Sequence, residues 1–298
     1  MALLAAPLRG WLPARLPPSN KYDFGHVLVI GGSQGMMGAP RLAALAALRG
    51  GAGLVTLGVP KSLEPIAAGG PWEAMTLALA ERSGGVSDRA LGTVHPFLRN
   101  GRVSCVALGP GLGRRKETVE FVRGFLRSVD LPTVLDADGL NALSLSGPFA
   151  SETPLILTPH PGEMARLLGT STEKVQKNRR AAVLEAARRA KAVVVLKGHR
   201  SVVSDGDKVY VNPNGNPGMA TAGMGDVLAG LIAALYAQVT ARDVPERLWR
   251  SAVLGVYLHG MAGDLSCRTT GPLSLLATDV ISALPQAARR FPSIGVKS

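Results

Sequence analysis

Apolar residues along this chain fall into short runs that alternate with longer stretches of helical periodicity. Val, Ile and Leu runs with little polar alternation are typical of strands buried on both faces of a parallel sheet. The predicted strands are His26–Ile30, Leu54–Leu57, Val103–Leu108, Thr133–Leu135, Leu155–Leu157 and Val193–Leu196. The predicted helices between them are Pro40–Arg49, Lys116–Ser128, Glu163–Leu168 and Lys174–Ala190. This alternation predicts an α/β fold, a layered domain with a mostly parallel central sheet flanked by helices.

The second half of the chain departs from this alternation. Two short β-prone runs, Ser201–Ser204 and Lys208–Asn212, flank a Gly-containing turn and predict a hairpin. Three further helices are predicted to begin at Asp226, Arg247 and Thr278. With no linker or low-complexity segment, we expect one domain over residues 1–298. Residues 1–20 are apolar but broken by prolines, and we expect an extended N-terminal arm able to pack on a neighbouring subunit.

Composition narrows the classes of partner. The 298 residues include 33 Lys and Arg against 21 Asp and Glu, a net charge of +12, which favours polyanionic ligands. Nucleic acid is not expected, because the basic residues are scattered in pairs and aromatic residues make up only 4%. Two distant cysteines, Cys105 and Cys267, indicate reduced thiols and a cytoplasmic protein, and Cys105 lies in a predicted buried strand. No apolar run approaches the roughly 18 residues of a membrane helix, so no membrane partner is expected.

Residues 213–226 are the most informative segment. They read Pro-Asn-Gly-Asn-Pro-Gly-Met-Ala-Thr-Ala-Gly-Met-Gly-Asp and run directly into a helical apolar pattern. A helix N-terminus preceded by small residues offers free backbone N–H groups and a positive dipole end to an anion. Asp226, in the first turn, is then placed beside a bound phosphate. The alternative is that Asp226 only caps the helix.

Other predicted strand ends also carry residues suited to a ligand, and ligands of open α/β sheets bind at that edge. Gly32, Gly35 and Gly38 follow the first strand, a spacing similar to a dinucleotide fingerprint, but the acidic partner after the second strand is missing. Gly109-Pro110-Gly111-Leu112-Gly113 follows the third strand and indicates either a ligand approach or a tight turn.

The last three predicted strand ends carry charged and polar side chains. Asp136, with the nearby Asp138 and Asn141, suits Mg²⁺ or sugar hydroxyls, or forms an Asx turn with a helix cap. His160 lies between two prolines on a stiff loop, which favours an exposed functional histidine, and Glu163 suits a hydrated Mg²⁺ or a helix N-terminus. The basic cluster Lys197-Gly198-His199-Arg200-Ser201 suits nucleotide phosphates.

These blocks together resemble the ADP/ATP-dependent NAD(P)H-hydrate dehydratases of the ribokinase-like superfamily. The matching segments are GGSQGMMGAPRLAALAALRGGAGLV at 31–55, GPGLG at 109–113, LDADGLN at 135–141, LTPHPGE at 157–163, VLKGHRSVV at 195–203, NPGMATAGMGDVLAG at 216–230 and YLHGMAGD at 257–264. They cover nearly the whole chain in family order, and the segment at 216–230 is the most specific. The resemblance implies a three-layer ribokinase-like sandwich. One departure is Met224, where the family more often has Thr.

The resemblance also implies a reaction and a set of site residues. The expected substrates are the hydrates NADHX and NADPHX, with ADP, or else ATP, as the phosphoryl donor and Mg²⁺ as cofactor. Asp226 is the expected general base. Hydrate contacts are implied for Ala39, Gly111, Gly113, His160 and Asp226. Nucleotide contacts are implied for Lys197, Gly198, His199, Arg200, Ser201, Gly223 and Gly225. Asp136 and Glu163 are candidate metal ligands.

Further expectations concern partners and alternatives. Some family members carry an epimerase domain before the dehydratase part. This chain begins directly with the dehydratase part, so a separate NAD(P)HX epimerase is the expected functional partner. A homo-oligomer, such as a homotetramer, is also expected. The main alternative is an ATP-dependent kinase of a small hydroxylated metabolite such as a vitamin precursor. A nucleic-acid-binding protein and an NAD-dependent oxidoreductase are less consistent with the sequence.

Overall fold

A nine-stranded sheet organises the protein in a computed structural model that describes residues 8, 10–144 and 153–290. The strand order is β11-β10-β9-β8-β7-β6-β1-β2-β3, and β4 and β5 form a separate small hairpin. All pairs of the large sheet are parallel except β9 with β10 and β10 with β11. The strands are β1 His26–Ile30, β2 Leu54–Pro60, β3 Met75–Leu79, β4 Glu81–Arg82, β5 Gly85–Val86, β6 Cys105–Leu108, β7 Thr133–Leu135, β8 Leu155–Leu157, β9 Val193–Leu196, β10 Val202–Ser204 and β11 Val209–Val211.

Helices cover both faces of this sheet. One core contains Val27 and Val29 of β1, and the other contains Leu28 and Ile30, so successive strand residues enter opposite layers. The first core includes residues of α1, α9, α10 and α11, and the second includes residues of α3 to α6 and α8. The helices are α1 Gly38–Arg49, α2 Glu64–Ala68, α3 Leu91–Asn100, α4 Lys116–Ser128, α5 Asp138–Ser144, α6 Pro161–Leu168, α7 Thr172–Lys177, α8 Arg179–Ala190, α9 Met224–Gln238, α10 Val244–Thr270 and α11 Ala277–Arg289. The predicted three-layer architecture with a mostly parallel central sheet is confirmed.

Several element boundaries differ from the sequence prediction. The predicted helix Lys174–Ala190 is two helices, α7 and α8, because Asn178 leaves the helical conformation and its side chain accepts the Ala181 N–H as the cap of α8. Helix α10 begins at Val244, before the predicted Arg247, because the Asp243 side chain accepts the Glu246 N–H. Helix α9 begins at Met224, two residues before the predicted start, Asp226.

The described part of the N-terminal arm contacts the chain's own domain. The Trp11 carbonyl accepts the Thr240 N–H at 2.9 Å, Leu8 is buried in the core, and the Arg15 guanidinium lies 3.7 Å from the centre of the Phe24 ring. Residues 1–7 and 9 lie outside the described residues, and packing on a neighbouring subunit stays a prediction. Cys105 is buried in β6 and Cys267 is a second free thiol.

None of the helices in residues 8, 10–144 and 153–290 combines the length and apolar character needed to span a bilayer.

Close packing of α1 on α9 holds the first core together and can be tested. A Cβ on Gly230 would overlap the Ala43 carbonyl oxygen, whereas no described atom lies within 4 Å of a Cβ on Gly92 in α3. We expect Gly230→Ala to lower the free energy of unfolding by about 1–3 kcal/mol through overpacking. Gly92→Ala, the matched control, should leave it unchanged or raise it by up to about 1 kcal/mol. Urea unfolding measures both, and equal stability of the two variants would contradict the prediction.

Candidate functional site

Loops at the carboxyl ends of the parallel strands contact one another along one edge of the sheet. After β1, the Gly32 N–H donates to the Pro110 carbonyl at 2.9 Å and the Ser33 hydroxyl donates to the Gly111 carbonyl at 2.9 Å. The Gly113 N–H donates to the Asp138 carboxylate, which follows β7, at 2.9 Å. These bonds join the loops that follow β1, β6 and β7 into one surface.

Three of the five residues implied as hydrate contacts by the resemblance, Ala39, Gly111 and Gly113, are neighbours in this surface. Gly111 and Gly113 have φ values of +64° and +80°, a conformation that favours glycine. A Cβ on Gly111 would lie 3.2 Å from the Ala39 Cβ, so the chain at Gly111 lies directly against the start of α1. Ala39, Gly111 and Gly113 therefore form one patch of small residues, in which Gly111 is buried and Ala39 and Gly113 are half-buried.

A buried ion pair lies beneath this edge. The Lys197 ammonium donates to Asp136 Oδ1 at 2.5 Å and lies 3.9 Å from Glu163 Oε2, and the Thr158 hydroxyl donates to the same Asp136 oxygen at 2.7 Å. Burial disfavours the charged ammonium, but Asp136 and Glu163 outweigh it and raise the pKa of Lys197. Lys197 therefore stays charged and its ammonium is held by carboxylates that follow two neighbouring strands.

The candidate metal ligands Asp136 and Glu163 both belong to this ion-paired group. Glu163 Oε2 also accepts the His160 N–H at 2.7 Å. No group of three or more His, Cys, Asp and Glu side chains suited to a metal ion occurs within the described ranges. A Mg²⁺ ion bound mainly by protein ligands does not fit this arrangement.

Asp226 lies in the first turn of α9, against the ion pair. Gly223 precedes the helix with φ +86°, and a Cβ there would lie 2.7 Å from Leu42 Cδ1 and 3.0 Å from the Ala277 Cβ. A Cβ on Gly225 would lie 3.2 Å from Lys197 Nζ and 3.7 Å from Asp136 Oδ2. Glycine at these two positions lets the start of α9, with its unpaired N–H groups, pack closely on its neighbours.

The carboxyl group of Asp226 has an unusual ionisation. Its pKa is raised to about 7, mainly by burial and then by the negative charges of Asp136 and, more weakly, Asp138. The positive charge of Lys197 opposes this rise. A carboxyl group with a pKa near 7 is about half ionised at neutral pH and can accept a proton there. That ionisation is the one a general base needs.

His160 is exposed, as the stiff loop predicts, and it also caps α6. Its Nδ1 accepts the N–H groups of Gly162 and Glu163 at 3.0 and 3.2 Å, which places the ring proton on Nε2. Burial, followed by Lys197 and Arg166, lowers the pKa of His160, so the ring is neutral at pH 7. The neutral ring lines the cavity described next, and its Nε2 lies 3.4 Å from Glu163 Oε1.

A cavity of about 670 Å³ opens beside the start of α9. It is lined by all five residues of the 197–201 segment, by Gly225 and by His160. Ala39, Gly111 and Gly113 are not among the described lining residues, and Gly223 instead packs against Leu42 and Ala277. Asp226 is the next residue after Gly225, which lines this cavity. The nearby Asp138, whose carboxylate accepts the Gly113 N–H, also raises the pKa of Asp226.

Sequence reasoning identified the segment at 213–226 as part of a ligand site but missed the part of the cavity wall that α10 supplies. The loop at 212–219 and one face of α10 complete the lining, including Asn212, Val256, His259 and Gly260. His259 Nε2 is buried and has no hydrogen-bond partner among the described residues. Burial and then Lys197 lower the pKa of His259 to about 4, so the ring is neutral. The block at 257–264 was the available signal, but the sequence alone gave it no role.

Met224 has a buried side chain that packs in the first core and also contributes to the cavity lining. Its apolar side chain is accommodated without disturbing the glycines on either side of it.

Comparisons with known proteins agree with this geometry. The family model described as NAD(P)H-hydrate dehydratase matches residues 27–286. The chain is 46% identical over 296 residues to a bifunctional NAD(P)H-hydrate repair enzyme Nnr of Moorella thermoacetica, covering 97% of this chain and 54% of that protein. It is 39% identical over 277 residues to an ADP-dependent (S)-NAD(P)H-hydrate dehydratase of Neisseria meningitidis, covering 91% and 87%. The chain spans about half the length of the bifunctional curated relatives it matches.

Solved structures show the same architecture. The Bacillus subtilis ADP/ATP-dependent NAD(P)H-hydrate dehydratase, co-crystallised with ATP and Mg²⁺, has a TM-score of 0.79 at 29% identity over 97% of both chains. A ribokinase-like superfamily protein of Enterococcus faecalis has a TM-score of 0.80 at 26% identity over 94% of this chain and 92% of that one. With the family match over residues 27–286, the chain belongs to the NAD(P)H-hydrate dehydratase family, with a ribokinase-like fold.

Proposed function

We propose that this protein is an ADP-dependent dehydratase that returns the (S) epimer of hydrated NADH or NADPH to NAD(P)H, a repair of damaged nicotinamide nucleotides. The observation that carries the proposal is the position of Asp226. Asp226 directly follows Gly225, which lines the cavity together with the basic 197–201 segment, and it is within electrostatic range of Asp138, whose carboxylate accepts the Gly113 N–H. It also has a pKa of about 7. This arrangement suits proton removal from a hydroxyl group that faces a phosphoryl donor.

The chemistry follows from the leaving group. Hydroxide is expelled slowly from the hydrated ring, whereas phosphate is a far better leaving group. Asp226 accepts the proton of the substrate hydroxyl as its oxygen attacks the terminal phosphorus of ADP, and AMP departs. The ring nitrogen then supplies the electron pair that expels phosphate from the adjacent carbon, and loss of a proton from the neighbouring ring carbon restores the dihydronicotinamide. The products are NAD(P)H, AMP and phosphate.

Charge on the transferred phosphoryl group is stabilised at the start of α9. The first N–H groups of a helix are unpaired and carry a partial positive charge, which suits an oxyanion. Gly225 has no side chain, so the backbone at this point can approach the phosphate closely. The nucleotide itself fills the cavity, where Lys197, Gly198, His199, Arg200 and Ser201 form one side.

Mg²⁺ is proposed to arrive with the nucleotide, bound by phosphate oxygens and water, where it would neutralise their charge. Asp136 and Glu163 are held by Lys197, so the remaining steps are assigned to the residues of the chain alone. ADP is the proposed donor because the Neisseria meningitidis relative is named ADP-dependent, while the Bacillus subtilis protein is named for ADP and ATP.

Partners and location complete the proposal. Several curated relatives are bifunctional repair enzymes, and we propose that an NAD(P)HX epimerase activity supplies the (S) epimer. We also propose a cytoplasmic homo-oligomer, such as a homotetramer. The kinase alternative has weaker support, because a hydroxyethylthiazole kinase of Pyrococcus horikoshii shares the fold at 16% identity with a TM-score of 0.56.

A product assay separates the two activities. Incubation with hydrated NADH and ADP should restore the reduced-nicotinamide absorbance and release AMP and phosphate in equal amounts. A persistent phosphomonoester, with no recovery of that absorbance, would support the kinase and overturn the dehydratase.

Removal of the carboxylate at position 226 tests the base. We expect Asp226→Asn to lower kcat by about 10²–10⁴-fold, as is typical for loss of a general base, while the affinity for ADP changes little. Asp130→Asn, an exposed carboxylate just before β7 at the opposite edge of the sheet, is the control and should retain wild-type turnover. Near-normal turnover of Asp226→Asn would reduce Asp226 to a helix cap.

The pH profile reports the same group. Since the pKa of Asp226 is about 7 and the base acts only when ionised, kcat/KM should rise about tenfold per pH unit below 7 and level off above it. The direction follows from the rise in pKa, because protonation at low pH removes the electron pair that accepts the proton. The affinity for ADP, measured over the same pH range, distinguishes titration of Asp226 from titration of the nucleotide. A flat profile between pH 5 and 8 would contradict the assignment.

A further inference from the structure

The block at 257–264 matches the family but has no role in the reaction proposed above. Its helix, α10, packs against the loop at 212–219 that forms one wall of the nucleotide cavity. Asn212 Nδ2 donates to the Val256 carbonyl at 2.9 Å and to the Asn214 carbonyl at 3.0 Å. The hydrogen bond from Asn212 to Val256 therefore attaches the beginning of the loop to α10.

Asp264 makes the second attachment, about two helical turns further along α10. Its Oδ2 accepts the Gly215 N–H and its Oδ1 accepts Asn216 Nδ2, both at 3.0 Å. The Asn216 side chain then accepts the Gly218 N–H at 3.0 Å. One carboxyl side chain thus binds two consecutive residues of a Gly-rich loop, and hydrogen bonds to a carboxylate acceptor are stronger than those between neutral groups.

Two glycines of the same block permit this contact. A Cβ on Gly260 would lie 2.8 Å from Asn212 Nδ2 and 2.9 Å from the Asn214 backbone, and a Cβ on Gly263 would overlap the Met219 sulfur. The loop therefore lies in a groove of α10 that larger residues would close. Asp264 is not among the residues that line the cavity, whereas Asn214, Gly215 and Asn216 are. Its effect on a ligand must pass through the loop.

We propose that Asp264 is a positioning residue for the nucleotide, which fixes the 214–216 loop as a cavity wall before ADP binds. This inference rests on the function proposed above. Without the carboxylate, the loop has to be ordered at the moment of binding, and that cost weakens affinity. The start of α9 is held separately, by contacts of Gly223 with Leu42 and Ala277, so the base and the phosphoryl site keep their positions.

The test is a split between binding and turnover. Asp264→Ala should raise KM and Kd for ADP by about tenfold or more, the effect of losing charge-assisted hydrogen bonds, with kcat at saturating ADP within about threefold of wild type. Asp264→Asn keeps one carbonyl acceptor and should recover part of the affinity. Arg268→Ala, an exposed residue one turn further along α10, is the control and should bind ADP as wild type does.

Two further measurements address the loop directly. Asn216→Ala should weaken ADP binding, and combined with Asp264→Ala it should add little, because both changes remove the same bond. Amide exchange at Gly215 should accelerate in Asp264→Ala, since that N–H loses its acceptor. Asn216→Ala alone and Asp264→Asn keep the test decisive if Asp264→Ala unfolds.

The outcomes separate this inference from the proposed function. Wild-type ADP affinity in Asp264→Ala, or a fall in kcat with KM unchanged, would overturn the positioning role. Wild-type protein that binds ADP without restoring NAD(P)H would overturn the dehydratase, while the Kd comparison would still decide the role of Asp264. Absence of ADP binding by the wild-type protein would overturn both.

Discussion

The buried ion pair between Lys197 and Asp136 is the interaction on which the rest of the site depends. Lys197 follows β9 and Asp136 follows β7, so the bond ties together loops from strands on either side of β8. Its partners include Glu163, and Asp226 lies close enough to be affected by both charges. Because a lone buried charge is costly, each group in this cluster constrains where the others can lie.

The same pair helps to set the pKa of Asp226, the proposed general base. Asp136 and burial disfavour ionisation of Asp226, and Lys197 favours it, so the balance brings the group close to neutral pH. A carboxylate with no such neighbours would be fully ionised but a weaker proton acceptor. Gly225 is part of this arrangement, because any side chain there would meet the Lys197 ammonium and separate α9 from the pair.

Much of the architecture could be predicted from the sequence, since buried parallel strands appear as continuous apolar runs. Strand β3 was missed because it lies at the sheet edge, where Met75–Leu79 mixes exposed and buried residues without a clear period. The break at Asn178 was missed because helix-forming residues continue on both sides of it. Strand-end loops were identified as candidates, but the pairing of Lys197 with Asp136, 61 positions apart, depends on strand order, which local patterns do not encode.

The net charge of +12 does not account for the site itself. Around the start of α9, three carboxylates, Asp136, Glu163 and Asp226, face one buried ammonium, so the local balance is acidic. A phosphate there has to be bound by oriented N–H groups, which carry no net charge and attract an anion without pairing with the carboxylates. The scattered basic residues act at longer range, where they raise the local concentration of anionic ligands. Long-range attraction of anionic ligands and short-range binding of phosphate are therefore assigned to different parts of the chain. The proposed base, Asp226, can then keep an acidic environment inside a basic protein.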